Sequence, residues 1–502
     1  MNAQDIYSSF VPLYAILVSL AAVPFILLSS NKPNLREFWT VAAGVIKFGL
    51  VLSLLPNALL EKTAEISLLE LAPDIELALK ADPFGVFFAL IASGLWIFTS
   101  FYSMGYMRGE KSHKQTRYFA SFAVCLSATI GIAFSANILT FILFYEVLTI
   151  ATYPLVIHNE NEEAIRAGRK YLVYTLTAGL LLIAAATMTY QILGTLDFQA
   201  GGMFSGVALA PATAKILFLL FLGGVGVKAS IMPLHSWLPS AMAAPTPVSA
   251  LLHAVAVVKS GVFGVIRVVG FVFGPALMKE FGLGNILVTL AGITIVVASF
   301  LALKQDNLKR RLAYSTVGHL SYIVLGAGLL SSAAFTGAML HIAFHATMKI
   351  TMFMVAGAIA VNLHKKQISQ LNGIGKVMPW TMGAFAVSAI GLSGLPPING
   401  FVSKWYLGMG SLQAENLIPL GILVVSGLLN AAYFFPIVHR AFFREPDDPE
   451  KLLKHKEASP FMVVPLVVTA IMSVLLGFYP DLFFKFYQMA ASVTASIVGG
   501  VG

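Results

Sequence analysis

Residues 137–151 read Asn-Ile-Leu-Thr-Phe-Ile-Leu-Phe-Tyr-Glu-Val-Leu-Thr-Ile-Ala, an apolar run with one carboxylate, Glu146, near its centre. With its flanks, this run is long enough for a membrane-spanning helix, which needs about 20 apolar residues. A charged side chain at bilayer depth costs roughly 2.5–3.5 kcal/mol on insertion scales, so such residues are rare and mark function. Other ionisable residues lie in similar apolar stretches, namely Lys228, Lys259, His345, Lys349 and Lys404. Ion or proton movement is therefore the first functional hypothesis.

The composition is that of a polytopic membrane protein. Of 502 residues, 58% are hydrophobic and only 11% are charged, whereas soluble domains carry about 25% charged residues. The net charge of +9 is spread thinly over short loops, which argues against a nucleic-acid partner. A single cysteine, Cys125, excludes a disulfide framework and a cysteine-ligated cluster, and it is interpreted as a packing residue. We expect one membrane domain over residues 1–502.

Fourteen apolar stretches predict an all-α fold with about fourteen transmembrane helices. The predicted spans, numbered 1 to 14 in chain order, are 10–30, 38–58, 84–107, 117–135, 137–157, 170–192, 212–232, 246–272, 284–303, 309–330, 333–361, 378–408, 416–440 and 460–480.

The loops between these spans alternate in charge. Nearly all basic loop residues fall on one side, and the opposite loops carry only Lys62, Lys80, Lys279 and Lys485. The positive-inside rule places the basic loops in the cytoplasm and both termini outside the cell membrane. Because no basic stretch precedes the first apolar run, a cleaved signal peptide is not expected.

Three further features of the sequence bear on this topology. The acidic segment 59–82 is interpreted as a solvated outer loop, with a short hairpin as the alternative, and its carboxylates could attract cations. The sequence supports no particular role for Lys47. The side chains of Lys215 and Arg267 are expected to extend toward the membrane surface and keep their charges in water.

Glycine and proline interrupt two of the spans. In span 7, Gly226 precedes Lys228 by two residues and Pro233 follows it by five. In span 12, Pro396 and Pro397 precede Lys404, which completes the same pattern of a break beside a lysine.

Broken helices at corresponding positions in two halves of a transporter point to a site at mid-membrane. We therefore predict two five-helix repeats, spans 4–8 over residues 117–272 and spans 9–13 over residues 284–440. Since each repeat has an odd number of helices, the two would be inverted relative to each other.

The ionisable residues predict a proton relay. Lys228 is the best partner for Glu146, because an unpaired buried carboxylate would become neutral, although a purely structural ion pair is the alternative. His253 and Lys259 lie six residues apart and could bracket a water path about 9 Å long. His235, near the cytoplasmic end, is either a group for proton uptake or the cap of a turn.

One face of span 11 carries His341, His345 and Lys349 at a spacing of i, i+4, i+8, which covers about 12 Å. Two histidines four residues apart could bind zinc, but no carboxylate or cysteine lies nearby to complete a site, and no metal is predicted. A proton wire fits better, since imidazole titrates near neutrality. His319, in span 10, either joins this wire or is a hydrogen-bonded core histidine.

These motifs resemble the antiporter-like family shared by Mrp-type sodium/proton antiporters, membrane-bound hydrogenases and respiratory complex I. The resemblance covers residues 80–450 and is strongest at 144–146, 228–259, 307–316, the span 11 face and 394–401. It implies fourteen helices, inverted repeats, broken spans 7 and 12, and a relay in which Glu146 pairs with Lys228. In that relay Lys259 is central and Lys404 is terminal.

The sequence looks most like the Mrp D subunit, which implies cation/proton exchange, most simply of sodium, together with other membrane subunits. The alternative is a proton-pumping subunit of a complex I-like or hydrogenase-like complex. No cofactor-binding motif is present, so redox chemistry would belong to other subunits. A stand-alone solute carrier and a structural subunit without transport are further alternatives, and the intramembrane charges argue against the second.

Overall fold

The computed structural model describes residues 6–72 and 75–499, with backbone alone at positions 252 and 253. The helices of this part of the chain are α1 (Val11–Leu28), α2 (Pro33–Ser53), α3 (Leu55–Leu59), α4 (Pro83–Gly109), α5 (Gln115–Ala133), α6 (Ile138–Val156), α7 (Glu162–Leu193), α8 (Pro211–Lys228), α9 (Trp237–Ser240), α10 (Thr246–Ala254), α11 (Val257–Arg267), α12 (Pro275–Glu280), α13 (Leu283–Leu303), α14 (Leu308–Gly328), α15 (Ser332–Leu363), α16 (Pro379–Ser393), α17 (Asn399–Gln413), α18 (Leu417–Phe443), α19 (Pro449–Leu452), α20 (Pro460–Phe478) and α21 (Phe486–Val498).

Within the described residues, eleven helices are long and apolar enough to cross a membrane. They correspond to predicted spans 1–7, 9, 11, 13 and 14. Spans 8 and 12 are each divided into two shorter helices, and span 10 corresponds to α14, whose first turn carries Lys309, Arg310 and Arg311. The count of fourteen transmembrane helices therefore stays a prediction.

The prediction of an all-α chain missed a small sheet. Strands β1 (Ile6–Ser8), β2 (Thr63–Ala72) and β3 (Ile75–Ala81) form a three-stranded sheet in the order β1-β2-β3, with β1 parallel and β3 antiparallel to β2. The alternative interpretation of segment 59–82 as a hairpin is thus the right one, and the solvated loop is wrong. The Lys80 amide donates to Phe134 O, and the Ala136 amide donates to Ala78 O. These hydrogen bonds join β3 to the end of α5 and pair polar backbone groups on the outer edge of the sheet.

Span 8 is interrupted where a continuous helix was predicted. Helix α10 ends at Ala254, α11 begins at Val257, and the chain continues from Arg267 as a π-helical turn, Val268–Phe273. The amide N–H groups of Val255 and Ala256 both donate to Leu251 O, so the regular ladder stops there. Neither glycine nor proline marks this break, which is why the sequence pattern did not reveal it.

The chain has two distinct faces. On one face β1 pairs with β2, and Ser492 Oγ donates to Glu61 Oε1 at 2.7 Å, so both ends of the described chain lie there. The other face carries the basic loops, where Lys114 and Arg117 contact Glu160 at 2.7 and 2.6 Å.

Hydrogen bonds from Lys114 and Arg117 hold the pKa of Glu160 at about 2, below its ordinary value of 4.5. Since the folded-state pKa is the lower one, this contact contributes stability above about pH 4.5, and the contribution is lost as the pH falls toward 2.

Arg267 does not extend to the membrane surface as expected. It is only 2% exposed and forms a bidentate ion pair with Asp82 at 2.5 and 2.7 Å. Asp82 also caps α4 by accepting from Gly85 N at 2.7 Å. Four phenylalanine rings surround the guanidinium with centroids 4.4–5.5 Å away, and they are Phe84, Phe198, Phe263 and Phe271. Lys215 is exposed on α8, whereas Lys47 is fully buried and donates to Ser19 Oγ.

We predict that Asp82→Asn destabilises the fold by about 3–5 kcal/mol, because it leaves the buried guanidinium without a counter-charge. The amide still caps α4, so the effect isolates the charge. Thermal unfolding of the purified protein in lipid nanodiscs measures the change. The matched control is Glu162→Gln, which removes an exposed ion pair to Arg166 and should cost less than about 1 kcal/mol. Equal effects of the two substitutions would contradict a stabilising role for the buried pair.

Candidate functional site

Lys228 is the last residue of α8 and is fully buried. Its ammonium donates to Tyr145 O at 2.6 Å and lies 3.4 Å from the centroid of the Tyr145 ring. The helix ends here because the chain turns sharply, with Ser230 at a φ of 57°. The Val227 carbonyl accepts from Ser230 N at 3.0 Å and from Trp237 Nε1 at 2.8 Å. Gly226 lies in the last turn and Pro233 lies in the irregular segment that follows.

Glu146 follows Tyr145 on α6, yet no ion pair of 4 Å or less joins it to Lys228 in the described structure. The two charges interact electrostatically at longer range. Both carboxylate oxygens are buried without a hydrogen-bond partner among the described residues. Gly179 of α7 packs against them, since a Cβ at that position would lie 2.5 Å from Oε1. The direct pairing implied by the family resemblance is therefore not formed in this structure.

Lys259 lies in the first turn of α11, directly after the unpredicted break. Its Nζ is 2.9 Å from Nδ1 of His345 on α15, and both side chains are fully buried. Two residues further along α11, Gly261 packs directly on the end of α8, where a Cβ would overlap the carbonyl carbon of Lys228. The breaks in spans 7 and 8 therefore meet between the two lysines.

Three histidines form a cluster between α14 and α15. The ring centroids of His319, His341 and His345 are 5.3–5.7 Å apart. His319 Nδ1 lies 3.2 Å from His341 Nε2, and His341 Nδ1 lies 2.8 Å from Ser403 Oγ on α17. His345 Nε2 has no hydrogen-bond partner among the described residues. His319 thus lies beside the span 11 histidines with both ring nitrogens near hydrogen-bond partners, an arrangement that fits a proton wire and a hydrogen-bonded core histidine alike.

Asn430, in the middle of α18, connects this cluster to Lys404. Its Nδ2 lies 3.3 Å from His319 Nε2 and donates to Leu392 O at 3.0 Å. The same carbonyl accepts from Lys404 Nζ at 2.7 Å. Leu392 is at the end of α16, where the helix break frees its carbonyl, and Pro396 and Pro397 lie in that break.

Lys349 reaches Asn430 from the other direction. Its Nζ donates to Ser315 Oγ at 2.8 Å and to Leu312 O at 3.2 Å. Ser315 Oγ and Tyr433 Oη are 2.9 Å apart, and the Tyr433 hydroxyl donates to Asn430 Oδ1. Sequence reasoning missed this set of neutral polar residues. A usable signal existed for Asn430, because an amide in the middle of an apolar span needs a partner.

Two of the predicted residues stand apart from these contacts. His235 is half-buried beside Tyr314, with ring centroids 6.4 Å apart, and its Nδ1 has no partner among the described residues. The side chain of His253 lies outside the described residues. In the described part of the chain, no group of three or more His, Cys, Asp or Glu side chains, the histidine cluster included, is arranged to hold a metal ion.

Taken together, the described contacts form one connected set of lysines, histidines and neutral polar groups. It leads from Lys259 through the histidine cluster to Lys404, with a branch to Lys349. Buried basic groups held by neutral acceptors can gain and lose protons without separating from a counter-charge. This set of groups inside a helical membrane fold is typical of one class of protein, an antiporter-like membrane subunit with an internal line of titratable groups.

Comparison with known proteins identifies the family. The profile described as NADH:quinone oxidoreductase/Mrp antiporter, TM, matches residues 135–430. The N subunit of the NADH-quinone oxidoreductase of Desulforudis audaxviator is 30% identical, with 78% of this chain and 81% of that protein covered. The D subunit of the Na(+)/H(+) antiporter of Alkalihalophilus pseudofirmus is 27% identical, with 95% of both chains covered. A chain of the Mrp complex from Dietzia sp. DQ12-45-1b has the same fold, with a TM-score of 0.86 at 18% identity over 100% of this chain and 98% of that one.

The chain therefore belongs to the NADH:quinone oxidoreductase/Mrp antiporter membrane family. It is an antiporter-like subunit of a multi-subunit membrane complex, whose partners are other membrane subunits. The predictions of the family, of a helical polytopic fold and of a subunit in a larger membrane assembly are confirmed.

We predict that Gly179→Ala displaces the Glu146 carboxylate, because the added methyl would lie 2.5 Å from Oε1. Proton-coupled transport in vesicles should fall about 100-fold, the lower range for disturbing a proton-transferring group. Gly383→Ala is the matched control, since a Cβ at Gly383 has no heavy atom within 4 Å. If both variants transport like the wild type, the fit between Gly179 and Glu146 does not matter for the site.

Proposed function

We propose that this subunit relays protons through the membrane interior along a line from Glu146 to Lys404. The observation that carries the proposal is the contact of Lys259 Nζ with His345 Nδ1 at 2.9 Å, since both groups are fully buried and both titrate. Glu146, Lys228 and Lys259 form the first part of the line.

The remaining groups form the second part, in which the histidine cluster joins Lys259 to Lys404. His345, His319 and His341 provide the imidazoles, and Lys349 supplies a second amine through Ser315. Imidazole exchanges protons near neutral pH, and lysine does so when it is desolvated.

Three intervals of the line contain no side-chain hydrogen bond. They separate Glu146 from Lys228, Lys228 from Lys259, and His345 from His319, whose rings are 5.3 Å apart. The second interval lies where two helix breaks meet, and such breaks are tolerated at membrane depth where backbone lines a hydrated cavity. We infer that a water molecule completes proton transfer across each interval.

Matching helix caps, backbone pairs and helix lengths support an inverted repeat over residues 117–272 and 284–440. Asn137 caps α6 by accepting from Thr140 N, and Asn307 caps α14 by accepting from Arg310 N. Each asparagine also pairs with a residue that follows the next helix, Asp197 for Asn137 and Gln367 for Asn307. The Asn137 pair lies on the hairpin face and the Asn307 pair on the basic face, which is the arrangement that inversion would produce. Helices α7 and α15 occupy equivalent places and have equal lengths of 32 residues.

We further propose that the basic face is cytoplasmic and that both termini lie outside the cell membrane, following the positive-inside rule. A polar cavity of about 700 Å³ opens on the basic face. Its wall includes Glu110, Glu163, Lys309 and Lys366, and Thr246 at the start of α10 lies at its edge. Helix α10 leads from this cavity toward the break before Lys259, so the cavity is our candidate for proton uptake, with His253 on the route.

We propose that proton movement in this subunit serves sodium/proton exchange, as the name of the Alkalihalophilus pseudofirmus relative indicates for that protein. The 95% coverage of both chains supports this assignment. A redox-driven proton pump is the second candidate, because the N subunit of an NADH-quinone oxidoreductase is 30% identical to this chain. Sodium-dependent proton efflux from vesicles that contain the purified complex, without any electron donor, distinguishes the two.

We predict that Lys259→Ala lowers proton-coupled transport about 100-fold or more, since it removes a proton-transferring side chain from the middle of the line. Fluorescence of a pH-sensitive dye in vesicles measures the rate, and assembly of the complex is checked by size-exclusion chromatography. Lys215→Ala, which removes an exposed lysine of α8, should leave the rate unchanged. Wild-type rates for the Lys259 variant would overturn the relay.

Lys404 provides a test of the end of the line. Lys404→Ala should block transfer, and Lys404→Arg should not restore it, because arginine stays protonated. Lys404→Glu should retain partial activity with a changed pH profile, since a carboxylate also takes up and releases protons. Full activity of Lys404→Ala would mean that the line ends elsewhere, with Lys349 as the next candidate.

A further inference from the structure

Asn430 has a fixed orientation at the centre of the polar network. It is 1% exposed. Its Nδ2 faces Leu392 O at 3.0 Å, and a carbonyl oxygen can only accept a hydrogen bond. Its Oδ1 accepts from the Tyr433 hydroxyl. Exchanging the two amide atoms would place two acceptors face to face at Leu392, so the hydrogen bonds themselves fix which atom of the amide is the nitrogen.

This orientation determines which nitrogen of His319 carries a proton. Asn430 Nδ2 lies 3.3 Å from His319 Nε2 and can only donate. The two hydrogens of Nδ2 also have Leu392 O at 3.0 Å and the Tyr322 hydroxyl at 3.3 Å within reach. Since an amide nitrogen cannot accept, a proton on His319 Nε2 would have no acceptor there, and the neutral ring holds its proton on Nδ1. His319 Nδ1–H then donates to His341 Nε2 across 3.2 Å.

The assignment extends to the other ring of the histidine pair. Because His341 Nε2 accepts from His319, the neutral His341 ring holds its proton on Nδ1, which lies 2.8 Å from Ser403 Oγ. The Ser403 hydroxyl can accept this bond while it donates to Gly400 O at 3.2 Å. All the N–H groups therefore point the same way: Asn430 toward His319, His319 toward His341, and His341 toward Ser403.

We propose that Asn430 is a positioning residue that holds His319 and His341 in their Nδ1–H tautomers and keeps His319 uncharged at rest. An imidazolium at His319 would carry a proton on Nε2 and face the Asn430 amide hydrogens. A proton reaches His319 only after its Nε2 leaves Asn430. The consequence for transport rests on the proposed relay, whereas the tautomer assignment rests on the hydrogen bonds alone.

Nitrogen-15 NMR of the histidine-labelled complex tests the assignment directly, because protonated and unprotonated imidazole nitrogens give separate signals. Subtracting the spectra of His319→Gln and His341→Gln variants identifies the two rings. Both rings of the wild type should show Nδ1–H and an unprotonated Nε2. An Nε2–H signal for His319 in the wild type overturns the proposal without any variant of Asn430.

Asn430→Asp is the informative substitution, since it keeps the size and the acceptor toward Tyr433 but removes the donor toward His319. The new carboxylate accepts from His319 Nε2–H, so the His319 signal should change to Nε2–H or imidazolium. The matched control is Ser426→Ala, one turn earlier on α18, which loses a 2.6 Å bond from Tyr322 but touches neither histidine. Its two histidine signals should stay as in the wild type.

The pH profile of transport gives the second measurement. In Asn430→Asp the profile should move toward alkaline pH by about one to two units, because a charge-assisted hydrogen bond stabilises the imidazolium by about 1.5–3 kcal/mol and one unit corresponds to about 1.4 kcal/mol. The charged and titratable groups that face His319 are unchanged in this variant, namely Lys259, Lys349, Lys404, Tyr322, His341 and His345.

The outcomes separate this proposal from the relay. An unchanged His319 signal in Asn430→Asp overturns the positioning role, whatever the transport rate. A changed signal with an unchanged pH profile supports the tautomer assignment and contradicts the relay through His319. If Asn430→Asp does not assemble, Asn430→Ala removes the same donor, and the expected result is that His319 no longer shows the Nδ1–H tautomer alone.

Discussion

Each lysine of the line lies in a low-dielectric protein interior that solvates its charge poorly, and the structure meets this constraint with neutral acceptors rather than carboxylates. Lys228, Lys349 and Lys404 donate to the backbone carbonyls of Tyr145, Leu312 and Leu392. Lys259 contacts an imidazole instead. A carboxylate partner would hold each lysine in its charged form, and removing the proton would then leave a buried anion behind. A neutral acceptor tolerates both protonation states of the amine.

The helix break in span 12 serves the same constraint, because a helix end leaves its last carbonyls without a partner inside the helix. Lys228 and Lys349 instead donate to carbonyls inside the continuous helices α6 and α14. The Leu392 carbonyl is free because α16 ends at Ser393, and it serves Lys404 and Asn430 together. The structural ion pair of Asp82 and Arg267 shows the contrasting design, because there a full counter-charge and a ring of phenylalanines fix one charge state permanently.

Much of this arrangement was predictable from the sequence, because apolar run length and charge alternation set the helices and the two faces. The titratable groups were identifiable because charge in an apolar run is conspicuous. The contacts between these groups were not predictable from the sequence. Glu146 and Lys228 do not form the expected ion pair, and Asn430 and Ser403 make hydrogen bonds that residue spacing does not predict. The break at Val255 escaped for a different reason, because neither glycine nor proline marks it in the sequence. The hairpin of β2 and β3 was left open because loose alternation fits a loop as well as a strand.

The two halves have equivalent scaffolds and different charges. Counted from its capping asparagine, Glu146 of the first half stands where Thr316 stands in the second, and Gly179 stands where Lys349 stands. Lys228 ends α8, Lys259 lies in the first turn of α11 and Lys404 lies on α17, so the proposed relay passes from helix to helix. Only His341, His345 and Lys349 follow a single helix, α15, over about 12 Å. The transmembrane potential acts on displacement along the membrane normal, at about 2.3 kcal/mol per elementary charge per 100 mV. In the proposed relay, proton transfer between helices at one depth is therefore insensitive to voltage, and the voltage sensitivity resides in the steps that move a proton along the membrane normal.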